Sequence, residues 1–494
     1  MLLWIETWWE LALAIAVLLT TASTVVLLTL PSEYSPFAPD EVTEADFTDQ
    51  DREDPARSGY DYFKKHSSPE AKLFCDVTVQ IVVLGDIGRS PRMQYHALSI
   101  AAHGGAVNIV GYVESEVHSG ILAHRMIEVT PIQPFPKRFQ TSNKALFLLV
   151  APLKVLWQIW SLYHALGYRT KASKWMLVQN PPSIPTLIVA QFICFVRHTR
   201  LIVDWHNFGY SLLALHLGAR HPLVRLSQWY EGFCSKGATA HFAVTDAMTR
   251  VLKEKWGVEA TPLHDRPSRQ FQPLSKEQQS MTLRKLPSTA SWAHKLEAGE
   301  WKLLVSSTSW TADEDFCVLL DALVRYSAAV EDDSNLPGAL VIITGKGPLK
   351  DFYIERIEQL NEDRELLNVH ILTAWLSTED YASLLGSAHV GISLHTSSSG
   401  VDLPMKVVDM LGTGLPVLGW SKFEAWSELV HEGENGCGFE SAEDLTALLR
   451  SLFGDEGQQL RHLRQGALKD CNRRWDDEWL PVAGQLLQLN LSKD

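Results

Sequence analysis

Between Thr396 and Gly419 the chain reads TSSSGVDLPMKVVDMLGTGLPVLG, residue types that suit an anionic ligand. Ser398, Ser399 and Gly400, with Ser397 before them, make a small polar loop whose backbone can come close to a phosphate. Asp402 is a helix-capping type and Pro404 fits a first helical turn; Gly412 and Gly414 then end the helix before a strand at Pro416–Leu418. A helix N-terminus gathers unsatisfied N–H groups and about half a positive charge, so a phosphate belongs there. Asp402, Lys406 and Asp409 recur at i, i+4 and i+7 and share one helix face. Lys406 then faces a diphosphate while Asp409, two turns in, accepts hydrogen bonds from ribose hydroxyls. The same spacing also describes an ordinary capped helix with an i,i+4 ion pair.

Other loops weigh on that choice. Ser306–Ser309, containing Ser307, and Gly345-Lys346-Gly347 each follow a Val- or Ile-rich run. A lone Gly-Lys-Gly is a common surface turn, but three such loops in one half of the chain form a constellation. In the first half, Asp86, Gly88, Arg89 and Arg92 follow one apolar run, with His96 in the helical stretch beyond. Asp204, His206 and Asn207 follow another. Asp and His are the types that take protons, and Arg gives planar, bidentate contacts to phosphate. The glycine spacing after Gly85 is G-x-x-G, not the dinucleotide fingerprint.

These residues need strands to hold them. The Val- and Ile-rich run at Asp76–Leu84 reads as a strand buried on both faces, and Val107–Val113, Trp175–Gln179, Leu201–Asp204 and Ala240–Val244 read as further strands. Trp301–Val305, Ala339–Thr344, Val369–Thr373 and Val390–Leu394 continue the alternation with helices, among them Asp313–Tyr326. Such alternation predicts two doubly wound parallel sheets, whose ligands lie beyond the carboxyl ends of the strands. Gln270–Glu300 is polar and reads as a linker or insertion, and Trp475–Leu489 as a terminal helix. The expected domains are 73–268 and 301–470, joined by 269–300 and followed by a helix and tail at 471–494. Phe147–Tyr163 reads as a helix too apolar for an ordinary surface, either a core helix or one leaning on a membrane.

Composition narrows the class. The 494 residues carry a net charge of −14, which argues against nucleic-acid binding. Six scattered cysteines without a CxxC pair read as reduced thiols, and Asn490–Ser492 is the single glycosylation sequon. Leu11–Leu30 is uncharged and follows Trp8 and Trp9, so residues 8–30 read as a retained transmembrane anchor. Residues 31–72 are polar and acidic and read as a disordered tether.

With the elements placed, the phrases become specific. GDIGRSPRMQYHA (Gly85–Ala97), DWHNFGYSLLAL (Asp204–Leu215), HDRP (His264–Pro267), SSTSWTADEDF (Ser306–Phe316), ITGKGPLK (Ile343–Lys350) and GVDLPMKVVDMLGTGLPV (Gly400–Val417) occur in this order. They resemble the chitobiosyldiphosphodolichol β-mannosyltransferases, and the resemblance covers most of Val77–Ala447.

The resemblance implies an α/β GT-B glycosyltransferase, two Rossmann-like domains facing a cleft, with an N-terminal transmembrane helix. It implies transfer of mannose from GDP-α-mannose to the 4-hydroxyl of GlcNAc2-diphosphate-dolichol with inversion, at the cytosolic face of the endoplasmic reticulum membrane. Neither a metal nor a cofactor is implied, and other mannosyltransferases of the dolichol pathway are possible partners. Asp409 matches the second acid of the GT-B Glu-x7-Glu pattern and is the ribose candidate; the first falls near Ser399, which is not acidic. Ser307, Lys346, Ser398, Ser399, Gly400 and Lys406 are the remaining donor candidates. Gly88, Arg89, Arg92, Asn207 and Arg266 are the acceptor candidates. Asp86, His96, Asp204 and His206 compete as the base; an ordinary histidine titrates nearer neutrality than an aspartate. A later or retaining mannosyltransferase of the pathway, an inactive membrane-tethered scaffold and a nucleotide-sugar hydrolase or epimerase are the alternatives.

Overall fold

The computed structural model describes residues 13–25, 77–136, 144–311, 314–454 and 457–489. The chain divides into two compact units. The first runs to Phe242 and takes in Leu252–Thr261 and the chain from Trp479; the second is Ala243–Val251 with Pro262–Glu478.

A seven-stranded sheet has the order β3-β2-β1-β4-β5-β6-β7. Its strands are β1 Thr78–Asp86, β2 Ala106–Tyr112, β3 Ile127–Pro131, β4 Trp175–Asn180, β5 Arg200–Trp205, β6 Ala240–Ala243 and β7 Thr261–Pro262. β1 pairs in parallel with both β2 and β4, and the order reverses between β1 and β4. Val79, Ile81, Val82 and Val83 of β1 are buried, as a strand covered on both faces by helices requires.

The second sheet has six strands in the order β10-β9-β8-β11-β12-β13. They are β8 Trp301–Ser307, β9 Gly338–Thr344, β10 Val369–Ala374, β11 Val390–Ser393, β12 Val417–Trp420 and β13 Gly436–Phe439. The reversal falls between β8 and β11, which pair in parallel. Leu304, Val341, Ile343, Ile392 and Leu418 fill its core with Phe316, Leu320 and Leu323 from the Phe316–Asp332 helix.

Two Rossmann-like units thus match the expected architecture, and three readings need correction. Residues 269–300 are not a plain linker. They fold within the second unit as the Lys276–Lys285 helix, a short turn and the Ala293–Glu297 helix. The first helix buries Leu283 and starts with a capping box between Ser275 and Gln278, so a mostly polar sequence still gives a docked helix. The domain boundary is not a single crossing near 268, because Ala243–Val251 belongs to the second unit. The expected terminal helix is present as one unbroken run over 475–487, whose middle turn, Leu480–Gly484, is a π turn that takes in Pro481. Finally, the helix expected from Asp313 starts at Phe316, capped by Asp315.

Of the expected anchor, residues 13–25 are described and helical. Among the described residues no helix is long and apolar enough to cross a membrane. The rest of the anchor and the 31–72 tether lie outside the described residues.

Candidate active site

In the second unit the reversal of strand order brings the ends of β8 and β11 together, the usual ligand position in such a sheet. After β8, Glu314 is buried and organises its own loop. Its carboxylate accepts from the Thr308 hydroxyl and, at 2.9 Å, from the Ser309 N–H. The same carboxylate pairs with Lys406 of the Met405–Gly412 helix. Ser307 bonds the Tyr381 hydroxyl at 2.7 Å and accepts from Thr344 Oγ1 at 3.2 Å, tying β8 to β9.

Gly345-Lys346-Gly347 is no generic surface turn. A Cβ at Gly345 would lie 1.8 Å from the Thr308 carbonyl oxygen, and its φ of +131° is in the glycine region. At Gly347 a Cβ would lie 1.7 Å from the Ser309 carbonyl oxygen. The two loops therefore touch backbone to backbone. Lys346, exposed between them, sets its ammonium 3.9 Å from the Trp375 ring centre.

The serine loop is built around Asp402, and here the capping expectation is corrected. The helix begins at Met405 with Pro404 at the N-cap position. Asp402 lies before it, off the helix, and accepts from Ser397, from Ser399 at 3.1 Å and from His395 at 2.9 Å. Burial pushes its carboxyl up, but His395 and the two serines outweigh that and hold it below the usual range. Gly400 takes φ +78°, and Ser398 is half-buried beside it. Lys406 and Asp409 keep their places on the helix. Burial first, then the charge of Asp265, pushes Asp409 well above the usual carboxylate range. Asp409 in turn raises the Tyr381 phenol, already pushed up by burial.

The first unit gathers its polar groups at the ends of β1, β4 and β5, again at the reversal. Asp204, fully buried, accepts from Arg92 Nε at 2.8 Å and Arg92 Nη2 at 2.9 Å. His96 Nε2 lies 3.2 Å and His206 Nε2 2.9 Å from the same carboxylate. Burial would raise Asp204, but Arg92 and then His206 and His96 hold it well below the usual range. His96 is fully buried, which pushes its imidazole pKa down, and it accepts from Trp479 Nε1 at 2.9 Å. Only the His206 side chain in this group is partly open, at 22%.

Four expectations change as a result. Arg92 is the buried partner of Asp204, its side chain only 3% exposed. Asp204 and His96 present no open atom to a substrate proton. Asp86 is held low, because burial is outweighed by Ser115 and by the Glu114 and Ser115 N–H groups, 3.0 and 3.1 Å from Oδ1. It organises the loop after β2. Gly88 lets that loop approach, since a Cβ there would lie 2.6 Å from the Glu116 carbonyl oxygen. Arg89 stays exposed, 3.2 Å from Ser115 Oγ. Asn207 accepts from the Phe208 N–H at 2.7 Å and from Ser211 at 3.3 Å, fixing the start of the Gly209–Leu217 helix.

Arg266, expected on the acceptor side, lies in the second unit and pairs with Glu478 at 3.3 Å. Beside it His264 bonds Glu478 through Nδ1 at 3.0 Å and Glu428 through Nε2 at 3.1 Å. These carboxylates, Glu428 first, raise the imidazole to about 9. Ligand atoms of Asp246, His264 and Glu428 lie within 4.8 Å of one another.

Sequence reasoning missed Glu314, Tyr381 and Glu231. Glu231 is buried, and accepts from Ser183 at 2.9 Å and the Gly209 N–H at 2.8 Å, joining the loops after β4 and β5. Nothing in the sequence separates Glu314 from its neighbours Asp313 and Asp315 before burial is known.

No family model matches the chain. It is similar to the chitobiosyldiphosphodolichol beta-mannosyltransferase of Arthroderma benhamiae, 53% identical over 76% of this chain and 85% of that protein. The protein of that name from Yarrowia lipolytica is 41% identical over 83% of this chain and 86% of its own length. The UDP-glycosyltransferase TURAN of Arabidopsis thaliana is 40% identical over 82% of this chain and 96% of that protein. Among solved structures, Anabaena Alr3699/HepE in complex with UDP and glucose matches with a TM-score of 0.58 at 14% identity, over 84% of this chain and all of that one. That likeness is one of fold.

Proposed function

The chain belongs to the chitobiosyldiphosphodolichol β-mannosyltransferase family, and we propose that it moves mannose from GDP-α-mannose to GlcNAc2-diphosphate-dolichol in β-1,4 linkage, at the cytosolic face of the endoplasmic reticulum. The extent of its similarity to the Arthroderma benhamiae protein carries this reading.

An α-linked donor and a β-linked product require one in-line displacement. A base removes the acceptor hydroxyl proton while positive groups stabilise the departing diphosphate. In this reading the second unit holds the donor. The Ser397–Gly400 loop, the N–H groups of the Met405 helix start and Lys346 meet the diphosphate. Lys406 shares its charge with Glu314, which keeps it in place and tempers its pull on the leaving group. Asp409 meets the ribose, and no metal is needed.

The first unit supplies the base, His206. Asp204 fixes the ring through Nε2, so Nδ1 is the atom that takes the proton. The imidazolium formed is then stabilised by a carboxylate that Arg92 already keeps ionised. Asp204, Arg92 and His96 act through His206 and are positioning residues.

The test is a transfer assay on the full chain reconstituted in vesicles, with GDP-mannose, a GlcNAc2-diphosphate-isoprenoid and EDTA, and digestion of the product by β-mannosidase. A trisaccharide sensitive to β-mannosidase is expected. A resistant product sinks the inverting chemistry, and no product sinks the reading. His206→Asn should lower kcat by about 10²–10⁴-fold with the KM for GDP-mannose little changed. The name of the Arabidopsis relative favours one second reading, a uridine diphosphate donor. Turnover with UDP-sugars and none with GDP-mannose would select it.

A further inference from the structure

The described surface of the first unit carries a concentration of apolar side chains on neighbouring helices. The Thr186–Arg197 helix packs against both the Lys144–His164 helix and the Pro222–Ser235 helix. Tyr163 and Phe192 meet across the first contact with ring centres 6.4 Å apart, and the Ile188 N–H reaches Tyr230 Oη at 3.2 Å across the second. From this layer Leu156, Trp160, Phe192, Phe195, Trp229 and Phe233 turn outward. Phe195 is 79% exposed, and Trp160, Trp229 and Phe233 are each 61% exposed. Trp229 and Phe233 stack on each other, their centres 5.4 Å apart. Isolated exposed apolar residues need no explanation, but aromatic residues gathered on three packed helices do.

Charge separates the possible occupants. The whole chain is acidic at −14, yet residues 144–236 contain ten Lys and Arg against two acids. Both acids, Asp204 and Glu231, are fully buried. This stretch therefore shows solvent no carboxylate, while Lys154, Arg220, Arg225 and Lys236 are exposed. An apolar face of Trp, Phe and Leu with a rim of Lys and Arg matches the acyl–headgroup boundary of an anionic bilayer. A second copy of the chain fits poorly, because this face against itself would set cations against cations.

We propose that the three-helix face of the first unit docks into the surface of an anionic membrane, as a contact separate from the N-terminal apolar segment. Trp160, Phe195, Trp229 and Phe233 enter the headgroup region, and the rim cations meet lipid phosphates. The proposal stands on exposure and charge and does not depend on which sugar is transferred.

The test uses the full chain with Cys75 and Cys317 replaced by Ser, since Cys194, Cys234, Cys437 and Cys471 are buried. Phe195→Cys and, separately, Trp229→Cys carry a dithionite-sensitive fluorophore. Phe352→Cys, on a 59% exposed site of the second unit, is the control. Each protein is reconstituted into phosphatidylcholine vesicles with or without about a third phosphatidylserine. On anionic vesicles the labels at 195 and 229 should be reduced at least about tenfold more slowly than the label at 352, with an emission shift to the blue. On neutral vesicles, or in high salt, the protection should weaken. Reduction at 195 and 229 as fast as at 352 in both lipids overturns the proposal. Protection that follows protein density instead of lipid charge also overturns it, and assigns the face to a second copy. Two labelled positions on different helices guard against one substitution that fails to fold.

Discussion

Glu314 is a buried acid with three dependants: the Lys406 ammonium, the Thr308 hydroxyl and the Ser309 N–H. Removing it leaves the buried Thr308 hydroxyl and the partly buried Ser309 N–H and Lys406 ammonium without their acceptor, which costs more than the pair contributed. Glu314→Ala should therefore lower unfolding stability by about 2–4 kcal/mol in a denaturant titration. Glu314→Gln should lose less, because the amide oxygen still accepts from the Thr308 hydroxyl or the Ser309 N–H. The His264 cluster gives a pH prediction. Its imidazole is raised to about 9 by Glu428 and Glu478, so the stabilisation is fully present below about 6.5 and is lost as pH rises through about 9. Glu478, lowered to about 2 chiefly by His264, contributes above about 4.5 and loses that contribution as pH falls through about 2. These are two views of one contact and are not summed. With His264 mostly buried, the alkaline loss should reach about 2–3 kcal/mol. Thermal melts from pH 6 to 10 should show it, and His264→Gln should flatten that slope; an equal slope in both proteins would locate the loss elsewhere.

The loops after β8 and β9 lie so close that side chains are excluded at two positions. Gly345→Ala should both strain the backbone and drive the loops apart, raising the donor KM by at least about tenfold while the second unit stays folded. An unchanged KM would mean that the loop is not part of the donor site. The central strands were legible because they are short apolar runs bounded by polar and glycine-bearing loops, and the chemistry-bearing loops were legible because they follow those runs. β3, β7 and β13 were not, because IEVTP, a two-residue pair and GCGF carry neither length nor apolar periodicity. The Lys276–Lys285 helix was hidden by its polarity, although its S-x-x-Q box was readable at Ser275 and Gln278. At the site, Asp409, Lys406 and Lys346 could be singled out by loop and spacing. The distinction between His206, partly open, and Asp204, His96 and Arg92, buried, could not. A D-W-H string looks the same whether its acid faces solvent or an arginine a hundred residues away.

Neither unit is a single stretch of chain. The first is completed by the last residues, where Trp479 is fully buried and donates to His96, which in turn lies against Asp204. Trp479→Ala should cost about 3–5 kcal/mol through the cavity alone, and should release the ring that steadies the histidine pair. Limited proteolysis should then cut the first unit well before the second; protection equal to that of the unaltered chain would show that the indole is dispensable. The same return has a consequence for synthesis. A ribosome delivers the strands of the first sheet early, but the indole that fills their layer comes after the whole second unit has emerged. The first unit must therefore wait, held open or incompletely packed, until the residues around Trp479 have emerged. A premature stop near residue 470 would spare every expected donor and acceptor residue and still leave the older half of the protein unfinished.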